Sequence, residues 1–404
     1  MRDPTGDMSV RSTARDNRCG ADGVRGPAFS TDLVSSRSAL RRRLLAWYGC
    51  RARDLPWRRE PHNVYAQWLA EMMLQQTRVE TVLPYYRRFR RRFPTVGSLA
   101  RARLQEVLKL WAGMGYYRRA RHLHSAARQV MNEHGGRFPR TLEGLCALPG
   151  VGRSTAGSIA SIAFGLRVPV LDGNIIRALT RLFAVQEDIA LASTRRRLWE
   201  LAESLLPRAR CGDFNQAMME LGATVCAARS PRCGECPLRS QCRAFAEGLH
   251  EHLPRKRVGA ARRAVGRLRI ASFVVQAGDH VLLIRRPHVG LWAGLWAPPE
   301  VVIDAGSRTR IRPERVLPAV AGARLERVCR LGTVEHQLTH RRVIFQAALY
   351  FLYPNTRPKL SASHNGSCYR WVHKDRLAGV PVSHGHRKVL DLWLRKSRDS
   401  RTSR

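Results

Sequence analysis

The stretch from residue 148 to residue 174, LPGVGRSTAGSIASIAFGLRVPVLDGN, constrains the fold of this chain most strongly. Gly150 and Gly152 predict a tight turn between two short apolar helices, with backbone at positive φ and uncovered amide groups. Residues 153–155 then open a helix whose N-terminal dipole points at the same place. The amides and the dipole together predict an anion site that suits a phosphate.

Asp172 comes 20 residues after Gly152 and precedes a further predicted helix that begins near Asn174. The dipole at the start of a helix favours the ionised form of a carboxylate, so we expect Asp172 to carry a negative charge. An ordinary capping aspartate is the simpler interpretation of the residue alone, because aspartate is common at this position. The stretch therefore combines a candidate phosphate clamp with a candidate fixed charge.

A second candidate carboxylate, Glu71, lies in a helix predicted over residues 65–78. Its neighbours form an apolar stripe at helical spacing: Trp68, Leu69, Met72 and Met73. A glutamate among large apolar side chains should have a raised pKa and hold a proton near neutral pH. A solvent-facing glutamate on an amphipathic helix is the alternative. With Asp172, a neutral carboxyl and an ionised one form the pair that breaks glycosidic bonds.

Four cysteines form the strongest local pattern, C-x6-C-x2-C-x5-C: Cys226, Cys233, Cys236 and Cys242. In an intracellular protein, thiols this close together indicate a metal or a cluster rather than disulfides. Structural zinc sites usually contain two C-x2-C pairs, whereas only the central pair has that spacing here. The spacing by itself predicts a metal centre and leaves zinc as the less favoured alternative.

The charge of the chain indicates a polyanionic partner. Lys and Arg number 71 against 31 Asp and Glu, which gives a formal net charge of +40. Only six of the basic residues are lysine, so a compositional bias of the genome also contributes.

The first twenty residues contain no apolar run, and no apolar stretch has the length of a membrane span. We expect a cytoplasmic, nucleoid-associated monomer that binds no membrane.

The motifs resemble those of the helix-hairpin-helix-Gly-Pro-Asp DNA glycosylases, and LPGVGRSTAG…LDGN is most similar to the adenine DNA glycosylase (MutY-type) branch. The asymmetric cysteine pattern matches the [4Fe–4S] loop of the endonuclease III superfamily, so the resemblance implies that cofactor. Residues 270–276 and 281–285 alternate as strands around a Gly278-Asp279 turn, and this half resembles a Nudix-like domain. The stretch after Glu300 lacks the glutamate-dense helix that holds Mg²⁺, so we expect no pyrophosphohydrolase activity.

The resemblance implies a multidomain fold, with an all-α helix-hairpin-helix glycosylase domain that carries an iron–sulfur cluster loop, followed by an α+β Nudix-like domain. The predicted segments are a disordered tail (1–36), the glycosylase domain (37–250) with its helix-hairpin-helix (141–164) and iron–sulfur loop (226–242), a basic linker (251–268), the Nudix-like lesion-recognition domain (269–392) and a basic tail (393–404).

The resemblance also implies roles for individual residues. The adenine pocket would contain Arg53, Trp57, Arg58, Leu74, Ser154, Asn174 and Gln216. Residues that contact DNA would be Gln76, Tyr116, Gly150, Gly152 and Arg153, with phosphates also facing Arg118, Arg119 and Arg121. The segment Leu338, Thr339 and His340 would read 8-oxoguanine. From the residues alone, Trp57 could equally be a core tryptophan, Tyr116 a buried helix start, and 338–340 an edge strand.

The implied function is the removal of adenine opposite 8-oxoguanine or guanine in double-stranded DNA, as a step of base excision repair. Glu71 would protonate the departing adenine, and Asp172 would stabilise the cationic sugar. Ser154 replaces the lysine that forms a Schiff base in lyase-type relatives, so we expect a monofunctional glycosylase. The alternatives are an endonuclease III-type glycosylase and lyase for oxidised pyrimidines, and a non-catalytic lesion-binding protein.

Overall fold

The structure, a computed structural model, describes residues 31–256, 266–303, 325–338, 341–352 and 368–402. The chain divides into two compact units. The first unit comprises Met1–Val64 and Pro139–Arg255, and the second comprises Tyr65–Phe138 and Lys256–Arg404. The second unit therefore joins a helical segment to the C-terminal half of the chain, whereas the boundaries proposed above from the sequence stay predictions.

The described helices are α1 (Thr31–Arg51), α2 (Val64–Leu74), α3 (Val79–Arg92), α4 (Val96–Arg101), α5 (Leu104–Trp111), α6 (Tyr117–Glu133), α7 (Leu142–Cys146), α8 (Arg153–Ala163), α9 (Gly173–Leu182), α10 (Ala192–Leu205), α11 (Cys211–Thr224), α12 (Arg243–Ala246) and α13 (His384–Thr402). Short 3-10 turns cover Pro56–Arg58, Cys233–Glu235, Arg239–Gln241 and Lys374–Gly379. None of the helices in these described ranges combines the length and the apolarity that crossing a membrane requires.

The core of the first unit lies where α1, α9, α10 and α11 bury their apolar sides against one another. Leu44, Leu179, Leu198 and Phe214 belong to this core and are almost completely buried. Close helix packing depends on Gly222 of α11, because a Cβ atom there would lie 2.6 Å from the Cβ atom of Asn174. This approach places the start of α9, which contains the candidate residue Asn174, directly against α11.

Aromatic side chains form the core of the helical segment in the second unit. Trp68, Phe89 and Trp111 are fully buried. The rings of Phe89 and Trp111 meet edge to face with 5.7 Å between their centroids. Trp68 of α2, the helix that carries Glu71, packs against Phe138 with 5.3 Å between the ring centroids.

The C-terminal half forms a mixed sheet. Its strands are β1 (Gly266–Ala277), β2 (His280–Arg285), β3 (Trp296–Ala297), β4 (Glu300–Ile303), β5 (Leu325–Gln337), β6 (Arg341–Leu352) and β7 (Tyr369–His373). The order is β3-β2-β1-β6-β5, with β4 also paired to β1 and β7 to β2. Strands β1 and β6 run parallel from Gly266 opposite Arg341 to Gln276 opposite Phe351, and the other pairings are antiparallel. The predicted hairpin is confirmed, with Gly278 at φ 55° in its turn.

Among the described residues, Gln105 and Arg121 form hydrogen bonds that join the sheet half to the helices of the second unit. Gln105 donates from Nε2 to the carbonyl oxygen of Gly294 over 2.9 Å and accepts from Trp296 Nε1 over 3.1 Å. Arg121 of α6 donates from Nη1 to the carbonyl oxygen of Ala293 over 2.7 Å. The loop before β3 is therefore anchored to α5 and α6.

Candidate active site and metal centre

Asp172 is the N-cap of α9, in the extended conformation that capping residues adopt. Its Oδ1 accepts a hydrogen bond from the backbone N–H of Ile175 over 2.8 Å. Its Oδ2 accepts from the side-chain amide of Asn174 over 3.0 Å. Both carboxylate oxygens therefore have a donor from the first turn of α9, which fixes the orientation of the carboxylate.

The pKa of Asp172 differs in direction from the sequence expectation. Burial raises its pKa, although the hydrogen bonds from Ile175 and Asn174 and the positive charge of Arg177 act to lower it. Burial therefore raises the pKa of Asp172 by more than the donors at the helix start lower it. The donors around the carboxylate limit the upward shift, so their removal should make ionisation harder.

A chain of hydrogen bonds leads from Asp172 to the cysteine loop. Arg177 donates from Nη2 to Oδ1 of Asn174 over 3.0 Å and to the carbonyl oxygen of Gly222 over 2.5 Å. It also donates from Nε to the carbonyl oxygen of Cys226 over 2.7 Å. One guanidinium therefore connects the residue beside the candidate catalytic carboxylate to the first candidate metal ligand.

Arg53 and Arg58, predicted for the adenine pocket, both pair with the buried carboxylate of Glu220. Arg53 donates from Nε over 2.7 Å and from Nη2 over 3.0 Å, and Arg58 donates from Nη2 over 2.8 Å. Burial acts to raise the pKa of Glu220, but the two guanidinium groups outweigh it and lower that pKa. Both arginines are therefore held by an acid on α11, the helix that also carries the buried Gln216.

Trp57 lies in the 3-10 turn Pro56–Arg58 and is 5% exposed. This placement agrees with the structural alternative, a core tryptophan that closes a turn. A role in binding a base would require the buried ring to present one face to the pocket, and this stays a prediction.

The helix-hairpin-helix turn has the predicted location and differs at one glycine. Gly150 has φ 80°, whereas Gly152 is extended with φ −94° and is the N-cap of α8 without a side-chain cap. A Cβ atom added at Gly152 would meet no atom within 4 Å, so the backbone there is open on that side. Arg153 places its guanidinium 4.3 Å from the centroid of the Trp199 ring, and Ser154 is half-buried in the first turn.

Glu71 lies in the second unit, half-buried on α2 between fully buried neighbours. The predicted helix 65–78 ends earlier, at Leu74, because Arg119 binds the last carbonyl groups. Arg119 donates from Nη1 to the carbonyl oxygens of Met73 over 2.6 Å and Gln75 over 2.5 Å. The next residue, Gln76, is exposed at φ 56°, a conformation that turns it away from the helix.

Two of the three arginines predicted to face phosphates have other roles, so that expectation was wrong for them. Arg119 is 7% exposed and caps α2, as described above. Arg121 is half-buried and holds the loop at Ala293. Arg118 is exposed and donates to the ring of His122 over 3.2 Å, so it alone of the three keeps an outward position.

Tyr116 agrees with the prediction of an exposed aromatic residue. It precedes α6 at φ 50° and is 43% exposed, so the alternative of a buried helix start applies to Tyr117 instead. The guanidinium of Arg119 lies 5.2 Å from its ring centroid.

Of the three predicted lesion-reading residues, Leu338 is half-buried after β5, while Thr339 and His340 lie outside the described residues.

The four cysteines of the predicted metal centre line one cavity in the first unit, beside apolar side chains of α9 and α11. Burial raises the pKa of the Cys236 thiol to about 11 and also raises the pKa values of Cys233 and Cys242. Within the described residues, no three ligand side chains already have the geometry of a bound ion. The donor set, four thiols in one place, nevertheless fits a metal or cluster, whose positive charge would keep them deprotonated.

Arg181 supports this loop from inside the protein. It is 2% exposed and donates from Nη1 to the sulfur of Cys226 over 3.3 Å and to the carbonyl oxygen of Ala227 over 2.7 Å. Its Nε donates to the carbonyl oxygen of Leu253 over 2.9 Å. Arg181 therefore ties the start of the cysteine loop and the segment that follows the loop to α9, and one of its donors reaches a candidate ligand sulfur.

Comparisons with known proteins agree with this arrangement. Residues 69–204 match the profile described as HhH-GPD superfamily base excision DNA repair protein, and residues 271–392 match the NUDIX domain profile. Adenine DNA glycosylase of Rattus norvegicus is 36% identical over 413 residues, which cover 89% of this chain and 79% of the relative.

The chain belongs to the adenine DNA glycosylase family. The human relative of the same name is 36% identical, with 89% of this chain and 75% of the relative covered. A bacterial relative, from Buchnera aphidicola subsp. Baizongia pistaciae, is 32% identical over 74% of this chain and 82% of its own length. Family membership confirms the resemblance and the fold class, and it makes the protein a DNA glycosylase of base excision repair, an enzyme of the hydrolase class.

The two units divide the candidate residues between them. The first unit contains Asp172 and Asn174, the helix-hairpin-helix residues, the Arg53, Trp57 and Arg58 turn, Gln216 and the four cysteines. The second contains Glu71, Leu74, Gln76, Tyr116 and Leu338. Sequence reasoning did not find the roles of Arg177 and Arg181. The spacing of these two arginines, four positions apart on α9, was the sequence pattern that could have indicated their roles. Such a pair is not distinctive in a chain so rich in arginine.

Proposed function

We propose that this adenine DNA glycosylase acts on adenine opposite 8-oxoguanine or guanine in double-stranded DNA and leaves an unbroken abasic strand. The observation that carries the proposal is the carboxylate of Asp172, held on both oxygens by donors from α9. A fixed carboxylate of this kind can stabilise the cationic sugar that forms when a base departs. The formal charge of +40 supports a polyanionic substrate.

In the proposed reaction, the target adenine leaves the base stack, and Trp57, Leu74 and Gln216 are among the residues that the sequence predicts to hold it. Glu71 donates a proton to N7 of adenine, so that the base departs as a neutral molecule. Asp172 stabilises the oxocarbenium-like sugar, by charge or through a transient covalent bond, and water then completes hydrolysis. General acid catalysis of this type contributes roughly 10²–10⁴-fold to the rate.

The absence of strand cleavage rests on Ser154. A serine hydroxyl cannot form the Schiff base with the sugar that a lysine amine forms. The sequence contains no lysine between residues 110 and 255, so the segment that carries Asp172 and Ser154 offers no replacement amine. We therefore propose a monofunctional enzyme, in contrast to a glycosylase that is also a lyase.

We further propose that Cys226, Cys233, Cys236 and Cys242 hold a [4Fe–4S] cluster. The cluster, when bound, supplies a covalent tie for the loop through four iron–thiolate bonds. Arg181 orients this loop by its hydrogen bonds to Cys226 and Ala227, and Arg177 links it to Asn174. Location with the chromosome in the cytoplasm follows from the proposed substrate.

A single-turnover assay tests the proposed function. Labelled duplexes with adenine opposite 8-oxoguanine and opposite thymine are incubated with the enzyme, and each is then analysed with and without alkali. We expect breaks only for the lesion duplex and only after alkali, and we expect Glu71→Gln to bind the lesion duplex without releasing adenine.

Three results would contradict parts of the proposal. Breaks without alkali would show lyase activity. Equal release from both duplexes would remove the lesion specificity. Near-normal adenine release by Glu71→Gln would show that another group protonates the base.

A further inference from the structure

A basic cavity of about 410 Å³ lies within the second unit, apart from the residues assigned above. One wall comes from α3, the end of α5 and the residues after it, and the other comes from residues 378–387. Four side chains that can carry positive charge line it: Arg88, Lys109, His384 and Arg387. The described lining residues include no carboxylate, so an anion in the cavity meets several cationic side chains.

Backbone carbonyl groups hold the two arginines in place. Arg88 donates from Nη2 to the carbonyl oxygen of Leu110 over 3.0 Å, and its guanidinium lies 4.5 Å from the ring centroid of Tyr85. The hydrogen bond to Leu110 and the ring of Tyr85 therefore fix the orientation of this guanidinium.

Arg387 approaches from the opposite wall. Its Nη2 donates to the carbonyl oxygens of Leu377 over 2.9 Å and Val380 over 3.2 Å. Burial lowers the pKa of Arg387, and the nearby Asp391 raises it. Both guanidinium groups are therefore preorganised by backbone carbonyls, which reduces the entropy lost when they bind an anion.

The cavity adjoins two regions that the sequence predicts to contact DNA. Ala112 and Gly113 line it, and the same loop continues to the exposed Tyr116. On the other side, the ring of His384 lies 5.7 Å from the ring of His336, two residues before Leu338. The cavity thus lies between the loop that leads to Tyr116 and the strand that leads into the candidate lesion-reading segment.

We propose that this cavity binds a phosphate group. Its placement between Tyr116 and the end of β5 favours a backbone phosphate of the DNA duplex, and a free nucleotide is the other source of the same chemistry. Net positive charge alone does not support the inference in a chain of +40. The support comes from the four cationic side chains that line one cavity and from the two guanidinium groups that backbone carbonyls hold in place. The inference rests on the proposed function for its DNA source.

Lys109→Ala tests the proposal, because Lys109 is exposed and its ammonium group is removed with little risk to folding. Lys396→Ala is the matched control, since Lys396 is an exposed lysine of α13 outside the cavity. The affinity of each full-length protein for a lesion duplex is measured over a range of salt concentrations. One lost phosphate contact lowers the slope of log K against log salt by about 0.9.

We expect the slope to fall in Lys109→Ala and to stay at the wild-type value in Lys396→Ala, which supports a DNA phosphate. A second measurement follows thermal unfolding with inorganic phosphate and with dGMP. A rise in the melting temperature of the wild type but not of Lys109→Ala, with unchanged slopes, supports a free phosphate compound. Equal slopes in both variants together with no such rise would overturn the proposal.

Adenine release by the wild type, measured in the same preparation, separates this inference from the proposed function. Normal release with no difference between the two lysine variants would reject the cavity alone. If the wild type releases adenine without lesion specificity while the slope falls only in Lys109→Ala, the proposed substrate is rejected and the phosphate site is retained.

Discussion

At the scale of single residues, Asn174 has two partners that the structure brings together. Its amide donates to Asp172, and its side-chain oxygen accepts from Arg177. Burial raises the pKa of Asp172 while the Asn174 hydrogen bond lowers it, so Asn174 helps to keep the carboxylate ionised. The residue therefore affects the proposed chemistry without any contact to substrate being assumed.

Asn174→Ala should lower the single-turnover rate of adenine release by about tenfold, because a hydrogen bond to a charged group contributes about 1.5 kcal/mol. The sign of the pH effect follows from the same bond. Loss of the donor raises the pKa of Asp172 further. During acidification, the carboxylate of the variant is therefore protonated at a higher pH than that of the wild type. The acid limb of the rate profile should move to higher pH.

The exposed Asn132 of α6 provides the control. Asn132→Ala should keep both the wild-type rate of adenine release and the position of the acid limb of the pH–rate profile. An unchanged acid limb in Asn174→Ala, measured from pH 4 to pH 9 in single-turnover reactions, would contradict the role given to this hydrogen bond.

At the scale of secondary-structure elements, the end of α2 depends on one buried cation. Arg119 binds the carbonyl oxygens of Met73 and Gln75 and donates to Oγ1 of Thr77 over 2.8 Å. Burial lowers its pKa to about 10, well above neutral pH, so the guanidinium stays charged at neutral pH. The arginine thereby sets both the end of the helix and the turn that exposes Gln76.

Arg119→Leu should decrease the free energy of unfolding by about 3 kcal/mol, because several buried carbonyl groups lose a charged donor at once. Arg118→Leu removes the neighbouring exposed arginine and should change that free energy by less than about 0.5 kcal/mol. Urea unfolding followed by circular dichroism measures both. Similar losses in the two variants would show that Arg119 has no special structural role.

At the scale of the whole molecule, the cysteine loop is supported both by the proposed cluster and by Arg181. The guanidinium ties Cys226, Ala227 and Leu253 to α9 without any metal. The helical core of the first unit is formed mainly by α1, α9, α10 and α11, so most of its apolar contacts do not involve the loop. Loss of the cluster should therefore disorder the loop more than the core.

Cys236→Ala should abolish iron and sulfide binding and increase protease cleavage between residues 226 and 253, while the far-ultraviolet circular dichroism changes little. Cys50→Ala is the matched variant, because Cys50 is exposed and lies outside the cavity, and it should keep the metal content of the wild type. Metal analysis of the purified proteins checks both results. Zinc instead of iron in the wild type would reject the cluster.

The resemblance of the chain's motifs to a known family supplied the fold class and the pair of candidate carboxylates. The sequence alone was also sufficient for the helix-hairpin-helix turn, the hairpin of β1 and β2, and the four candidate ligands. These features are encoded by residues close together in the chain, where spacing controls turns, helix starts and ligand sets. The four cysteines and the Gly150 turn illustrate this, since each pattern lies within a short segment.

Only the tertiary structure decided how the charged side chains are paired. Arg53 and Arg58 bind Glu220, more than 160 positions away, and Arg119 binds the end of α2 instead of facing a phosphate. Arg177 and Arg181 bind the cysteine loop from α9. A chain with so many arginines offers each acid and each carbonyl many possible partners. Packing alone selects one of them, because a buried charge is stable only where the fold supplies its donors and acceptors.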